Sequence, residues 1–171
     1  VTGNILLSEG ATLTIEAGVT VKFDAGKVFQ VKGELIAIGT SSSKITFTSS
    51  ASSPTAGDWE CIQFYNESTD ASFSGNTYNG GSIMEYCIVE YAEDGLRIEY
   101  SSPFINYSEF RYNGLGYTSG YNGGYGIYIS GGNPKITNCD IHHNETGVYI
   151  STSSDDNIVS YNTIRDNSPF G

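Results

Sequence analysis

The sequence predicts an all-β solenoid, a ribbon of short strands wound into stacked coils of roughly 22 residues. Three observations predict it. Gly95, Gly126 and Gly147 each open the same phrase, apolar-x-apolar: Leu96-x-Ile98, Ile127-x-Ile129 and Val148-x-Ile150. A large apolar residue then recurs at Val89, Phe110, Ile141 and Ile164, in steps of 21, 31 and 23 residues. The long step holds a Tyr/Gly/Ser/Asn-rich insertion at 116–124, and removing it restores the period. Third, Asn113, Asn144 and Asn167 fall in one column, where the preceding unit has Ala92.

The period-two runs are strand chemistry broken by turn residues, and no stretch carries a helical stripe ten residues long. A leucine-rich repeat would need its own Leu spacing, which is missing. Each unit therefore reads as one coil of about three short strands, paired to its neighbours ~4.8 Å away. Length allows one domain, 1–171, of about six to seven coils.

Taken in order, residues 1–50 alternate as Leu13-x-Ile15, Val19-x-Val21-x-Phe23, Phe29-x-Val31, Leu35-x-Ala37 and Ile45-x-Phe47, and are read as the first two coils. Residues 57–64, GDWECIQF, place Cys61 in the Gly95 column, where a larger side chain implies a local shift. Residues 49–56 and 68–81 are polar loops thrown out of the stack. Cys87 and Cys139 share a column with Ser108 between them. Two coils put them ~10 Å apart, too far for a disulfide, so the three cysteines are expected as buried thiols. The asparagine column reads as a ladder of side-chain amides at a bend.

Phrases such as GIYISGGNPKITNCDIHHNETGVYI resemble the right-handed parallel β-helix repeats of the pectate-lyase-like superfamily, and the resemblance covers nearly the whole chain. The opening residues resemble those of large secreted bacterial and archaeal β-helix proteins. The resemblance implies a single-stranded right-handed parallel β-helix at the cell surface. It does not select an activity, because the superfamily mixes enzymes, binding modules and structural proteins.

Eight Lys and Arg stand against nineteen Asp and Glu, a net charge of −11. This argues against nucleic-acid or anionic-membrane partners, and fits an extracellular or high-salt setting or cation binding. No apolar run is long enough to insert in a membrane. Val1 is read as a trimmed start. With no capping helix at one end and a mid-coil stop at the other, two readings stay open: a segment of a longer surface protein, or copies stacked head to tail into a filament.

Function is sought on outward columns. Gln63, Arg97, Tyr128 and Tyr149 form one, flanked by Glu99, Ser130 and Ser151, with Tyr117, Tyr121 and Tyr125 of the insertion beside it. Aromatic rings near Arg and carboxylate suit polysaccharide or a cell-surface glycan. Exposed tyrosines also favour strands for their own sake. On the next sheet, Glu90, Arg111, His142 and Arg165 form one column and Ile88, Glu109, Asp140 and Thr163 another. Glu109 and Asp140 are like charges on adjacent coils, and with Asp155 and Asp156 they are the candidate Ca²⁺ ligands. No cofactor is certain. His142 and His143, consecutive on a strand, are expected to point to opposite faces. Asn66 and Asn106 are candidate glycosylation sites, being sequons.

The function expected is a non-catalytic structural or adhesive module, with no catalytic residues assigned. The alternatives are a polysaccharide lyase or epimerase acting on an acidic glycan, for which Arg97 beside Glu99 is the nearest match, and the self-stacking subunit.

Overall fold

A computed structural model describes residues 1–114, 124–151 and 157–168. The first coil is β1 (Ile5–Leu7), β2 (Thr12–Ile15) and β3 (Thr20–Phe23), and the second is β4 (Phe29–Val31), β5 (Glu34–Ile38) and β6 (Ile45–Ser49). The third begins with β7 (Ile62–Phe64), leaves the stack as the hairpin β8 (Ser72–Ser74) and β9 (Thr77–Gly80), and resumes with β10 (Ile83–Glu85) and β11 (Cys87–Glu90). The fourth is β12 (Leu96–Glu99), β13 (Phe104–Asn106) and β14 (Glu109–Arg111). The fifth is β15 (Tyr125–Ser130), β16 (Lys135–Thr137) and β17 (Asp140–His142). The sixth is β18 (Thr146–Ile150), β19 (Ile158–Ser160) and β20 (Thr163–Arg165).

Among the described residues, equivalent strands pair in parallel into three six-stranded sheets, β1-β4-β7-β12-β15-β18, β2-β5-β10-β13-β16-β19 and β3-β6-β11-β14-β17-β20. Residues 1–50 are the first two coils, as their alternation predicted. Among the described residues no helix is long and apolar enough to cross a membrane.

Like residues stack on like because the sheets are parallel and in register. Val21, Phe47, Val89, Phe110, Ile141 and Ile164 lie one above another in the third sheet. Phe64, Ile98, Ile129 and Ile150 do so in the first, and Met84, Ile105, Ile136 and Val159 in the second. Through the fifth coil these inward columns meet in one apolar core along the solenoid axis, while Ile150 and Ile164 of the sixth coil are 48% and 51% exposed. A fully buried side chain of this size stabilises by about 1.5–3 kcal/mol.

Glycine and asparagine form one device at the edge of that core. The Asn144 nitrogen Nδ2 donates to Phe110 O (2.9 Å) and to Asn167 Oδ1 (3.0 Å), while its own Oδ1 accepts from the Asn113 backbone (3.1 Å) and side-chain (2.9 Å) nitrogens. One coil down, Asn113 Oδ1 accepts from Ala92 N at 3.0 Å. The amides run against the glycine column. A Cβ on Gly126 would stand 2.7 Å from Gly147 O and 2.8 Å from Asn144 Nδ2. Close approach, rather than an unusual φ, is what requires glycine there. Below Ala92 the ladder gives way to Trp59, which is fully buried, stacks on Phe23 at 4.3 Å and donates Nε1–H to Glu90 O.

The corners are turned by residues other than glycine in the left-handed region, each costing on the order of 1 kcal/mol. Tyr86, Tyr107, Asn138 and Tyr161 make one corner column with φ of 45–58°, and Tyr91, Tyr112, His143 and Asp166 another with φ of 53–62°. Ring stacking offsets part of that cost: Tyr86 on Tyr107 at 5.1 Å and 8°, Tyr91 on Tyr112 at 5.8 Å and 12°.

Three expectations need correction or refinement. Residues 68–81 are not simply a polar loop, because β8 and β9 pair antiparallel and Phe73 and Tyr78 pack on Phe104 at 5.1 and 5.9 Å. His142 and His143 do not diverge, since their Nδ1 atoms lie 2.7 Å apart. The strand ends at His142, and the left-handed φ of His143 breaks the alternation. Asn106 is not presented to solvent: Nδ2 donates to Glu85 at 2.6 Å and Oδ1 accepts from Thr137 and Asn138. Asn66 is exposed. Next to Cys61, the ladder bond from Ile62 N to Gly95 O is 3.5 Å long. All three cysteines are free and buried, and burial pushes the Cys87 and Cys139 thiols up to about 12.

Asn144→Ala orphans Phe110 O and the Asn113 amide together. It is expected to destabilise the fold by about 3 kcal/mol, at about 1–3 kcal/mol per orphaned buried group. Denaturant midpoints measure this, with the exposed Asn66→Ala as the neutral control.

Candidate functional site

The outward face of the first sheet carries the expected column in register. Gln30, Gln63, Arg97, Tyr128 and Tyr149 are successive partners, and Glu99 pairs with Ser130 beside them. Alternation along each strand turns these side chains outward while Leu96, Ile98, Ile127 and Ile129 face the core. The Arg97 guanidinium lies 4.7 Å over the Tyr128 ring, and Tyr128 stacks on Tyr149 at 5.7 Å and 9°. The rings are thus shingled along the axis. What they offer a ligand is edges and hydroxyls rather than a flat platform. Tyr149 is 44% exposed.

Tyr125 lies against the column. It is the first residue of β15, buried, with its ring 5.4 Å from Tyr128 and 5.1 Å from Tyr149. Tyr117 and Tyr121 lie outside the described residues. Gln63 is tied down from below, its Oε1 accepting from Tyr65 OH at 2.8 Å while that hydroxyl accepts from Gln30 Nε2 at 3.0 Å.

Asp94 organises this face, and sequence reasoning passed over it. It is 2% exposed. One carboxylate oxygen accepts from the backbone nitrogens of Gly124 and Tyr125, both at 2.9 Å, and the other holds Arg97 Nη1 at 2.8 Å. It therefore pins the chain at the start of β15, and aims Arg97 along the column. Glu99 lies 3.8 Å from Arg97 Nη2. Beside Arg97 an open cleft of about 320 Å³ is lined by Glu60, Cys61, Gln63, Glu93, Asp94 and Arg97. Glu60, Asp94 and Tyr125 stand directly before the repeat column of Cys61, Gly95 and Gly126. That register was the available signal. Burial, then the charges of Asp94 and Glu60, pushes the Glu93 carboxyl above its ordinary range.

On the third sheet, Glu109 and Asp140 are in register on adjacent coils. Each meets protein cations. Glu109 accepts from Arg111 (2.7 Å) and Lys44 (3.0 Å) and contacts His142 Nε2 (3.2 Å), while Asp140 accepts from Arg165 (2.8 Å). Burial alone would raise the Glu109 carboxyl. The hydrogen bond from Lys44, the charge of Arg111 and the bond from His142 outweigh it and hold Glu109 below the ordinary range. Among the described residues, no three His, Cys, Asp or Glu side chains converge to hold a metal ion. Asp155 and Asp156 lie outside those residues.

Residues 60–171 match the family described as a right handed beta helix region. No curated protein and no solved structure matches the chain.

Because the Glu109 carboxyl is depressed in the fold, its stabilising contribution is complete above the unfolded value of 4.5 and is lost as pH falls through the lower folded value. Glu109→Gln is therefore expected to lower stability at pH 7 and to flatten the acid limb of stability against pH below 4.5. Thermal melts across that window measure both. An unchanged acid limb contradicts the network.

Proposed function

The chain belongs to the right-handed β-helix family, and we propose that it serves as a non-catalytic, extracellular structural and adhesive module that holds polysaccharide along its first sheet. The observation that carries this reading is the in-register column of Arg97, Tyr128 and Tyr149 beside the polar cleft. A polysaccharide presents repeated hydroxyls along a line. The coils present repeated hydroxyls and a fixed guanidinium along a line at ~4.8 Å spacing. Sugar hydroxyls exchange hydrogen bonds with the phenols and with the fixed polar groups beside them.

Preorganisation supports the reading. Asp94 holds Arg97, Tyr65 holds Gln63, and the rings hold one another, so little side-chain freedom is lost on binding. The acidic composition fits an extracellular setting. Rigid sheets built by stacking suit a structural role.

Glycan-array binding followed by titration calorimetry tests the proposal. The expected result is binding of at least one polysaccharide class without new ultraviolet-absorbing unsaturated ends. Tyr128→Ala and Tyr149→Ala should each weaken that binding about tenfold, the worth of one aromatic contact with its hydroxyl. Turnover to unsaturated product that Arg97→Ala abolishes would favour a lyase instead.

A further inference from the structure

The charge around this face names the kind of sugar it takes. The inference rests on the polysaccharide reading of the same face. The column and cleft make the site, and the charges select its occupant. Three carboxylates line the cleft, Glu60, Glu93 and Asp94, against one guanidinium, Arg97. Asp94 and Arg97 already neutralise each other at 2.8 Å. That leaves Glu60 and Glu93, neither within ion-pair distance of a cation among the described residues, with Glu99 3.8 Å from Arg97 on the other side.

We propose that the cleft and the Arg97–Tyr128–Tyr149 column together bind a glycan carrying free, protonated amines, a deacetylated hexosamine polymer, with an ammonium seated against Glu60 and Glu93.

Three alternatives fit less well. A uronate would bring its carboxylate to two carboxylates that have no ion-pair partner among the described residues, while the one guanidinium is already bonded to Asp94. A hard divalent cation wants six to eight oxygens, and no three suitable side chains converge among the described residues. An ammonium asks for only three acceptors, which the carboxylate oxygens of Glu60 and Glu93 supply. A cationic peptide would satisfy the charges but would bring no sugar hydroxyl to the exposed Tyr149 phenol, whereas Tyr128 already donates to Ser151 at 3.2 Å.

The free protein also shows a cost that such a ligand relieves. Half-buried beside Asp94 and Glu60, the Glu93 carboxyl is raised above its ordinary range. For a carboxyl raised in the fold, the penalty is present at neutral pH and disappears as pH falls through the raised value. A bound ammonium removes the same penalty at neutral pH. Glu93→Gln should therefore leave the free protein as stable at pH 7 or more so, while weakening the ligand. A purely structural carboxylate would show neither effect.

The test is titration calorimetry of the whole chain at neutral pH with four probes: a β-1,4-linked glucosamine tetramer, its N-acetylated counterpart, tetragalacturonate and tetralysine. The expected result is binding of the glucosamine tetramer about tenfold tighter than the N-acetylated one, the worth of one hydrogen bond to a charged group. Glu60→Gln and Glu93→Gln should each erase most of that preference, and the Glu93→Gln melting temperature should not fall. Equal binding of the acetylated tetramer, or tighter binding of tetragalacturonate, overturns this inference and leaves the polysaccharide reading standing. Tetralysine binding as tightly as the glucosamine tetramer overturns it as a general cation patch. A preference that survives both substitutions overturns the assignment of Glu60 and Glu93. Binding of no saccharide overturns this inference and the polysaccharide reading together.

Discussion

The close fit of the asparagine amides against the glycine column is the constraint on which the rest of the structure depends. A side-chain amide has two donors and an acceptor, and Asn144 spends them on Phe110 O below, Asn167 Oδ1 above and the Asn113 nitrogens. Every bond joins one coil to the next. The glycine opposite leaves room for the amide, and no other residue does so without a contact below 3 Å. This edge fixes register, and register decides which side chains stack. A slip by one residue would exchange core for surface on every strand.

Register is also what makes the outer faces chemically organised. Once coils are locked, residues at the same place in successive repeats become neighbours ~4.8 Å apart. Tyr128 meets Tyr149 and Arg97 meets Tyr128 on the first sheet. On the third, Glu90 and Glu109 share Arg111, and Asp140 pairs with Arg165. The same rule yields an aromatic strip on one face and a self-neutralising charge network on another. The two faces differ in what is left over. Glu109 and Asp140 are answered by Lys44, Arg111 and Arg165. Glu60 and Glu93 are not answered among the described residues, and that residue of charge is what distinguishes the first face as a site.

What repeats was legible in the sequence, and what occurs once was not. Val89, Phe110, Ile141 and Ile164, the asparagine ladder and the outward columns all follow from period and alternation, because a parallel stack turns sequence register into spatial register. Trp59 closes the foot of the ladder a single time, and Phe73 and Tyr78 build a hairpin found in one coil only. The histidines were misread for a different reason. Alternation is a property of extended backbone, and it fails at a corner where His143 takes a left-handed φ. Asn106 was read from a local triplet, but neighbours 21 and 31 residues away bury its amide. The cleft escaped notice because Glu60, Glu93 and Asp94 sit ahead of the apolar-x-apolar strand, outside the alternation that marks its outward side chains.

Hydrogen exchange of the asparagine side-chain amides tests the central claim most directly. If the ladder locks the coils, the Asn113 and Asn144 side-chain amide protons exchange as slowly as the backbone amides of Phe110 and Ile141, through opening of the stack itself. Exchange at the rate of the solvent-exposed Asn66 amide would contradict the account, because the coils would then be held in register by something else.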